Sequence, residues 1–343
     1  MNRFLFLIAA LLSLSIQPAL ADQPSSGGDA PLVIAGQGSF FVGGHDLHSS
    51  HLAQDPENSI SGVEGTVAVD QVYVHYQRPV DAGTRPAFVL IHGCCLTGKT
   101  WETTPDGRMG WDEYLLRRGY PVYVLDQAGR GRSALDISAV NAVKNGEAAP
   151  ETLTGARWPG REATWTAFRF GPRYGEVYSG LQYPIEALPE FWKQMVPDWT
   201  VRDGNPSPTV AALPELTAKV GGSVLVSHSQ SGIFPFEAMA AGAKNVVAIV
   251  AIEGTCPSQT ENMSVYGKTR ILLVWGDHVP EHPRWGPRLA DCRKWMAAAR
   301  RAGVDASLLL LPDVGIMGND HMLMQDRNNL QIADRILAWL EEK

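Results

Sequence analysis

Five short runs, "AFVLIH" (87–92), "VYVLD" (122–126), "SVLVSH" (223–228), "VVAIVAIEG" (246–254) and "ILLVWGD" (271–277), are almost continuously apolar, and helix-like stretches separate them. A strand with one wet face alternates apolar and polar residues, whereas a continuous run is buried on both faces, as in the centre of a parallel sheet. Such strands alternating with helices imply an α/β fold with a doubly wound, mostly parallel sheet and helices on both faces. "SLLLLP" (307–312) reads as the last strand of the set. Helical periodicity falls at 109–118, 210–220, a segment after Gln230, 289–301 and 329–340. "GTVAVDQVYVHYQRP" (65–79) alternates instead and is rich in β-branched and aromatic residues, the pattern of antiparallel strands at a sheet edge.

The N-terminus, "MNRFLFLIAALLSLSIQPALA", has one positive charge at Arg3, an apolar centre, a breaker at Pro18 and a small-x-small ending at Ala21. That is the layout of a cleaved export signal, and the apolar centre is shorter than the about 20 residues that span a bilayer. Residues 1–21 are read as the signal, which places the mature chain in the periplasm or outside the cell. The small, polar "DQPSSGGDAP" that follows reads as a loose arm. Loss of Arg3 takes Lys and Arg from 29 to 28 against 36 acids, a net charge of −8. Such a chain is not built for phosphate backbones or anionic lipid, so neither nucleic acid nor membrane is an expected partner. Export also makes the four cysteines, Cys94, Cys95, Cys256 and Cys292, candidates for disulfides, with three pairings open.

Between residues 133 and 206 the strand-helix alternation gives way to a Trp- and Tyr-rich insert that includes Trp165, Phe168, Phe170, Tyr183 and Phe191. It reads as a cap over the carboxyl edge of a core made of residues 22–132 and 207–343, with most of its rings forming its own interior.

The sharpest chemical signal is "VLVSHSQSGIF" (224–234). Ser229 follows a buried strand and precedes a helix-like stretch, with the small residues Ser227 and Ser231 two positions to either side, serines where glycine is usual. A nucleophile on so tight a turn passes close to neighbouring chain, so bulky flanks are excluded. Ser231 does not meet the test, because Ile233 would take its second flank. Pro235 implies that the following helix kinks or starts late. Two further motifs follow strands: "HGCC" (92–95) and "LDQAGRGRS" (125–133).

In this order the chain resembles an α/β-hydrolase: His-Gly after the third strand, Asp-x-x-Gly-x-Gly-x-Ser after the fourth, the serine turn after the fifth, and a late histidine in "GNDHMLM" (318–324). More narrowly, it is similar to secreted bacterial carboxylesterases with adjacent cysteines in the oxyanion loop. The triad order of this superfamily makes Ser229 the nucleophile and His321, in a loop after the last strand, the base. Two strand ends offer the acid, Glu253 and Asp277. Asp277 holds the more common position, and Glu253 ends a wholly apolar run where an ionised carboxylate needs a partner. The narrower resemblance favours Glu253. One oxyanion donor is expected from the backbone of Gln230, and the resemblance assigns the other to Cys94.

The resemblance also gives a reason for adjacent cysteines. A Cys94–Cys95 disulfide would stiffen the oxyanion loop, leaving Cys256 to pair with Cys292. Adjacent Cα atoms are about 3.8 Å apart, short of the about 4.4 Å minimum usual for disulfides, so such a ring carries strain, and pairing of either neighbour with Cys256 is the alternative.

The function expected is that of an exported serine carboxylesterase acting on small ester substrates of short to medium chain through an acyl-enzyme on Ser229. No cofactor is called for, and a homodimer is compatible with a bacterial enzyme of this kind. Dehalogenases and epoxide hydrolases of this fold place aspartate where Ser229 stands. Another serine hydrolase or acyltransferase, or a non-catalytic binding protein on the same scaffold, is the competing reading. His45, His48 and His51 in "GGHDLHSSH" have no carboxylate or cysteine cluster beside them to complete a metal set, and the stretch reads as a surface loop.

Overall fold

The computed structural model describes residues 30–53, 63–199 and 207–342; the expected leader lies outside them. Eight strands form one sheet in the order β1-β2-β4-β3-β5-β6-β7-β8. They are β1 (Ile34–Ser49), β2 (Gly65–Pro79), β3 (Ala87–Ile91), β4 (Val122–Asp126), β5 (Ser223–His228), β6 (Val246–Ile252), β7 (Arg270–Trp275) and β8 (Ala306–Leu310). The β1–β2 and β2–β4 pairs are antiparallel and all the others parallel.

The reason for the continuous apolar runs is visible in the core. Val89 and Ile91 of β3, Leu225 of β5 and Ile249 of β6 enter one buried cluster. Their sequence neighbours Phe88, Leu90, Val224, Val226 and Val250 enter the other. Each central strand is thus apolar on both faces, and each such side chain contributes roughly 1.5–3 kcal/mol on burial.

The described residues form eight α-helices: α1 (Trp111–Arg117), α2 (Ser138–Lys144), α3 (Arg161–Ala167), α4 (Leu188–Gln194), α5 (Pro208–Val220), α6 (Phe234–Ala240), α7 (Trp285–Arg301) and α8 (Asn329–Glu341). Leu213 of α5, Phe236 of α6 and Leu289 and Trp295 of α7 join the first cluster, while Leu115 of α1 and Ile332 and Ile336 of α8 join the second. α6 begins at Phe234 with Pro235 in its first turn, where the missing N–H costs nothing.

The insert after β4 carries α2, α3 and α4, and an isolated antiparallel bridge joins Arg157 to Asp198. Trp165, Phe170, Tyr183 and Phe191 are buried together and continue the second cluster.

One expectation is corrected. The histidine-rich stretch at 45–51 is not simply a surface loop, because His45 and His48 lie in the 16-residue β1, paired with β2. Glycines at 36, 38, 43 and 44 interrupt its apolar alternation and hide the strand from pattern reading. The histidines do not converge: His48 meets Glu64 at 3.2 Å, His51 meets Glu147 at 2.5 Å, and His45 lies 3.9 Å from Asp70.

Candidate active site

The carboxyl ends of β3, β5, β6 and β7 deliver the polar residues singled out in the sequence. Ser229 follows β5 with φ +57°, the left-handed region that L-residues seldom occupy, and Glu253 follows β6 with φ +52°. Strained conformations of this kind cost about 1–3 kcal/mol and persist only where packing over-determines them. The packing here leaves no room for a side chain at two glycines. A Cβ on Gly232 would fall 2.3 Å from Gly254 Cα, and one on Gly93 would fall 2.8 Å from His228 Nδ1 and 3.0 Å from Ser229 Cβ.

The structure brings Ser229, His321 and Glu253 together. His321 Nε2 lies 2.8 Å from Ser229 Oγ, and Nδ1 lies 3.1 Å from Glu253 Oε2. Ser229 is 8% exposed, and His321 and Glu253 are fully buried. Because a carboxylate only accepts, Nδ1 carries the proton and Nε2 is left to accept from the serine hydroxyl. Burial, and then the positive charges of Arg169, Arg284 and Arg288, hold the His321 pKa well below that of a free histidine.

Asp277 is not beside the imidazole. Its Oδ2 accepts from Asn319 N–H at 2.9 Å, and its own N–H donates to Asn319 O at 2.7 Å. It ties down the loop that presents His321. A second anchor is His228, whose Nε2–H donates to His321 O at 2.8 Å. Burial, followed by the charge of His321, lowers the His228 pKa to about 3, so it is neutral.

Several further residues shape the site without a motif of their own to mark that role in the sequence. Arg169, in the aromatic insert, donates through Nη2 to Glu253 Oε1 at 2.6 Å and through Nε to Asp277 O at 2.7 Å. Gly276 N–H completes the shell around Glu253 Oε1 at 2.7 Å. The neighbouring Phe168 accepts His321 N–H through its carbonyl at 2.9 Å and sets its ring 4.8 Å from the imidazole. Trp285, at the start of α7, stacks on His321 at 4.3 Å.

The loop after β3 is held by residues of the Asp126–Ser133 motif. Arg130 donates to Gly93 O at 2.9 Å and to Gln230 Oε1 at 3.0 Å, and Gln230 Nε2 donates to Asp198 Oδ2 at 2.7 Å. Asp126 accepts from Gly98 N–H at 2.7 Å and from Arg132 N–H at 2.9 Å. His92 donates through Nδ1 to Gly93 O and accepts Gln127 N–H through Nε2. Burial, and then Arg130, lower its pKa to about 3.

The cysteines divide. Cys256 and Cys292 form a disulfide with a sequence separation of 36, linking the loop after β6 to α7. Closing a loop of that length restricts the unfolded chain by about 4 kcal/mol. The bond expected between Cys94 and Cys95 is not formed in this structure, where both are free thiols. The closeness of adjacent Cα atoms opposes that ring. The two sulfurs instead interact as neighbours, which lowers the Cys94 pKa and, with burial, raises that of Cys95. Cys95 takes φ +62°. Its Sγ lies 3.4 Å from Arg157 O. Cys94, Cys95 and Asp198 place donor atoms within 4.8 Å of one another, a set that could hold a metal ion. Arg130, 3.8 Å from Asp198, already supplies that carboxylate with positive charge.

No protein-family model matches the chain. A solved structure described as a novel bacterial esterase at atomic resolution is 53% identical, with a TM-score of 0.87 over 91% of this chain and 96% of that one. The chain belongs to the α/β-hydrolase-fold esterases. This esterase, a carboxylic ester hydrolase, is also similar to "Probable secreted lipase phiG" of Fungal sp. (strain ATCC 74256), 24% identical over 332 residues, 79% of this chain and 86% of the relative.

Proposed function

We propose that the esterase works as an exported serine carboxylesterase in which Ser229 is the nucleophile, His321 the general base and Glu253 the acid that orients it. The observation that carries this reading is the run of contacts Ser229 Oγ to His321 Nε2 at 2.8 Å and His321 Nδ1 to Glu253 Oε2 at 3.1 Å. His321 takes the serine proton as Oγ attacks the ester carbonyl, and then gives that proton to the departing alcohol. Water, deprotonated by the same nitrogen, attacks the acyl-enzyme, releasing the carboxylic acid and returning the proton to Ser229. Glu253 keeps the proton on Nδ1 and stabilises the imidazolium formed in each step.

Negative charge collects on the carbonyl oxygen, and one preorganised N–H donor is typically worth about 3 kcal/mol of barrier. Gln230 N–H, second in its 3-10 turn, has no intrahelical acceptor and serves as one donor. Cys94 N–H, which donates to no other described backbone carbonyl, serves as the second. Arg130 stiffens both through Gly93 O and the Gln230 side chain.

The insert at 133–206 acts as the cap. Support comes from Phe168 against the imidazole and Arg169 against Glu253, which set insert residues over the base and acid. Phe168 and Trp285 make apolar walls suited to esters of short or medium chain. The Cys256–Cys292 disulfide and the secreted relative support export to the periplasm or beyond.

A fluorophosphonate probe on the folded protein, combined with p-nitrophenyl esters from acetate to dodecanoate, tests the reading. Labelling confined to Ser229 and a turnover maximum among the shorter chains are expected. Absence of labelling, or labelling that survives Ser229→Ala, would exclude it.

A further inference from the structure

Three arginines at the rim of the site have no carboxylate partner among the described residues: Arg284 and Arg288, whose charges reach His321, and Arg157 at the loop after β3. Other arginines, such as Arg78, Arg161 and Arg335, likewise have no ion-pair acid among the described residues, so it is position that sets these three apart.

The unpaired three are gathered around the reacting centre. Trp285 stacks on His321 at 4.3 Å, and the guanidinium carbons of Arg284 and Arg288 each lie 4.9 Å from the Trp285 ring centroid. Both cations are therefore one indole away from the general base. Arg157 stands at the oxyanion loop, 4.0 Å from the sulfur of Cys94. Arg157 and Arg284 are exposed and Arg288 half-buried, so all three can meet a solute. They also feel one another. Burial, and then Arg157, lower the Arg284 pKa, while burial, Arg284 and Arg157 in turn lower that of Arg288.

Like charges held together without a counter-charge oppose folding, and a planar guanidinium is the side chain best shaped to grip a carboxylate or phosphate in two-point fashion. We infer that the substrate of this esterase carries an oxyanion, a carboxylate or phosphate, at the end remote from the scissile carbonyl, seated by Arg157, Arg284 and Arg288. The inference rests on the serine-esterase reading above and names the substrate class of that site. It also accommodates the apolar walls. The chain between ester and anion runs past Phe168 and Trp285, and the charge emerges at the rim where the guanidinium groups stand.

The direct test compares p-nitrophenyl hydrogen glutarate with p-nitrophenyl pentanoate, which share a five-carbon acyl chain and differ in the terminal carboxylate. At low ionic strength the ratio of their kcat/KM values should favour the anionic ester by about tenfold or more, and salt should erode it. In an Arg284→Gln, Arg288→Gln double variant that ratio should fall about tenfold, since two charge-assisted contacts are lost. A wild-type ratio at or below one, or a ratio untouched by the double substitution, overturns the inference.

Calorimetry on Ser229→Ala gives a readout independent of turnover. Monomethyl glutarate should bind and methyl pentanoate should not, with glutarate and inorganic phosphate as competitors to tell which oxyanion the seat prefers. Hemiester binding by Ser229→Ala alongside a wild type inert to every ester would sink the serine-triad reading and leave the anion seat standing. Turnover of neutral esters with no anion binding would do the reverse.

Discussion

Arg169 and Glu253 form an ion pair at 2.6 Å with neither side chain exposed, and the second oxygen of the same carboxylate faces His321. Removing one partner of a buried pair strands the other charge and costs about 3–5 kcal/mol. Arg169→Gln should therefore lower the melting temperature clearly. It should also move the acid limb of the pH-rate profile upward. Arg169 is the largest charge, after burial, that depresses the His321 pKa, so its loss makes the imidazolium easier to form. A destabilised variant whose acid limb stays in place would limit Arg169 to a structural part.

Glu253 and Asp277 are separable by substitution. Glu253→Gln keeps the shape but removes the charge that fixes the Nδ1 proton, and a loss of kcat on the order of 10³–10⁴ is expected. Asp277→Asn disturbs a hydrogen bond to Asn319 N–H two residues before His321, so it should cost stability and at most a modest part of kcat. Steady-state kinetics on the two variants, with melting curves, would show the order reversed if Asp277 were the acid.

Much of this arrangement was legible in the sequence, for identifiable reasons. The six parallel strands announce themselves because burial on both faces leaves few polar residues in them, and Ser229 is marked by strand context and small flanks. The choice between Glu253 and Asp277 was not legible from local pattern, since both end apolar strands at the same edge. It depends on which carboxylate Arg169 and Gly276 surround, and Arg169 lies 84 positions from Glu253 in a segment without regular pattern. β1 was missed because glycine replaces the apolar residues that would reveal its period. The cluster of Arg157, Arg284 and Arg288 was invisible for a related reason: it is assembled across 131 positions of chain.

A second pair of acids sets a pH dependence. Asp320 and Asp326 are fully buried, each with one carboxylate oxygen lacking a partner. Burial first, and then the charge of its neighbour, raises the Asp320 pKa, while burial raises that of Asp326 to about 7 from 3.8. The folded state holds protons that the unfolded chain would release, so stability falls as pH rises through the folded values. His92, His228 and His321 act oppositely, but only below their unfolded value of 6.5. Above 6.5 the acids act without that opposition. The urea midpoint should drop between pH 6.5 and 8, and Asp326→Asn should flatten the drop. A midpoint that rises over that interval in the native chain would contradict the assignment.

Ser231 occupies a flank where glycine is usual, and its hydroxyl explains the exchange. It accepts from His228 N–H at 3.0 Å and reaches both His228 O and Ile91 O at 3.0 Å. Ile91 is the last residue of β3, so this one hydroxyl links the turn bearing Ser229 to the strand that leads into the oxyanion loop. Ser231→Gly fits the space but leaves buried backbone groups without their partner, at a cost of about 1–3 kcal/mol. Activity should fall with stability, because Gln230 and Cys94, the proposed oxyanion donors, lose their common tie. Ser231→Ala should behave alike. If both variants retained wild-type kcat and melting temperature, the hydroxyl bridge would have no part in positioning the site.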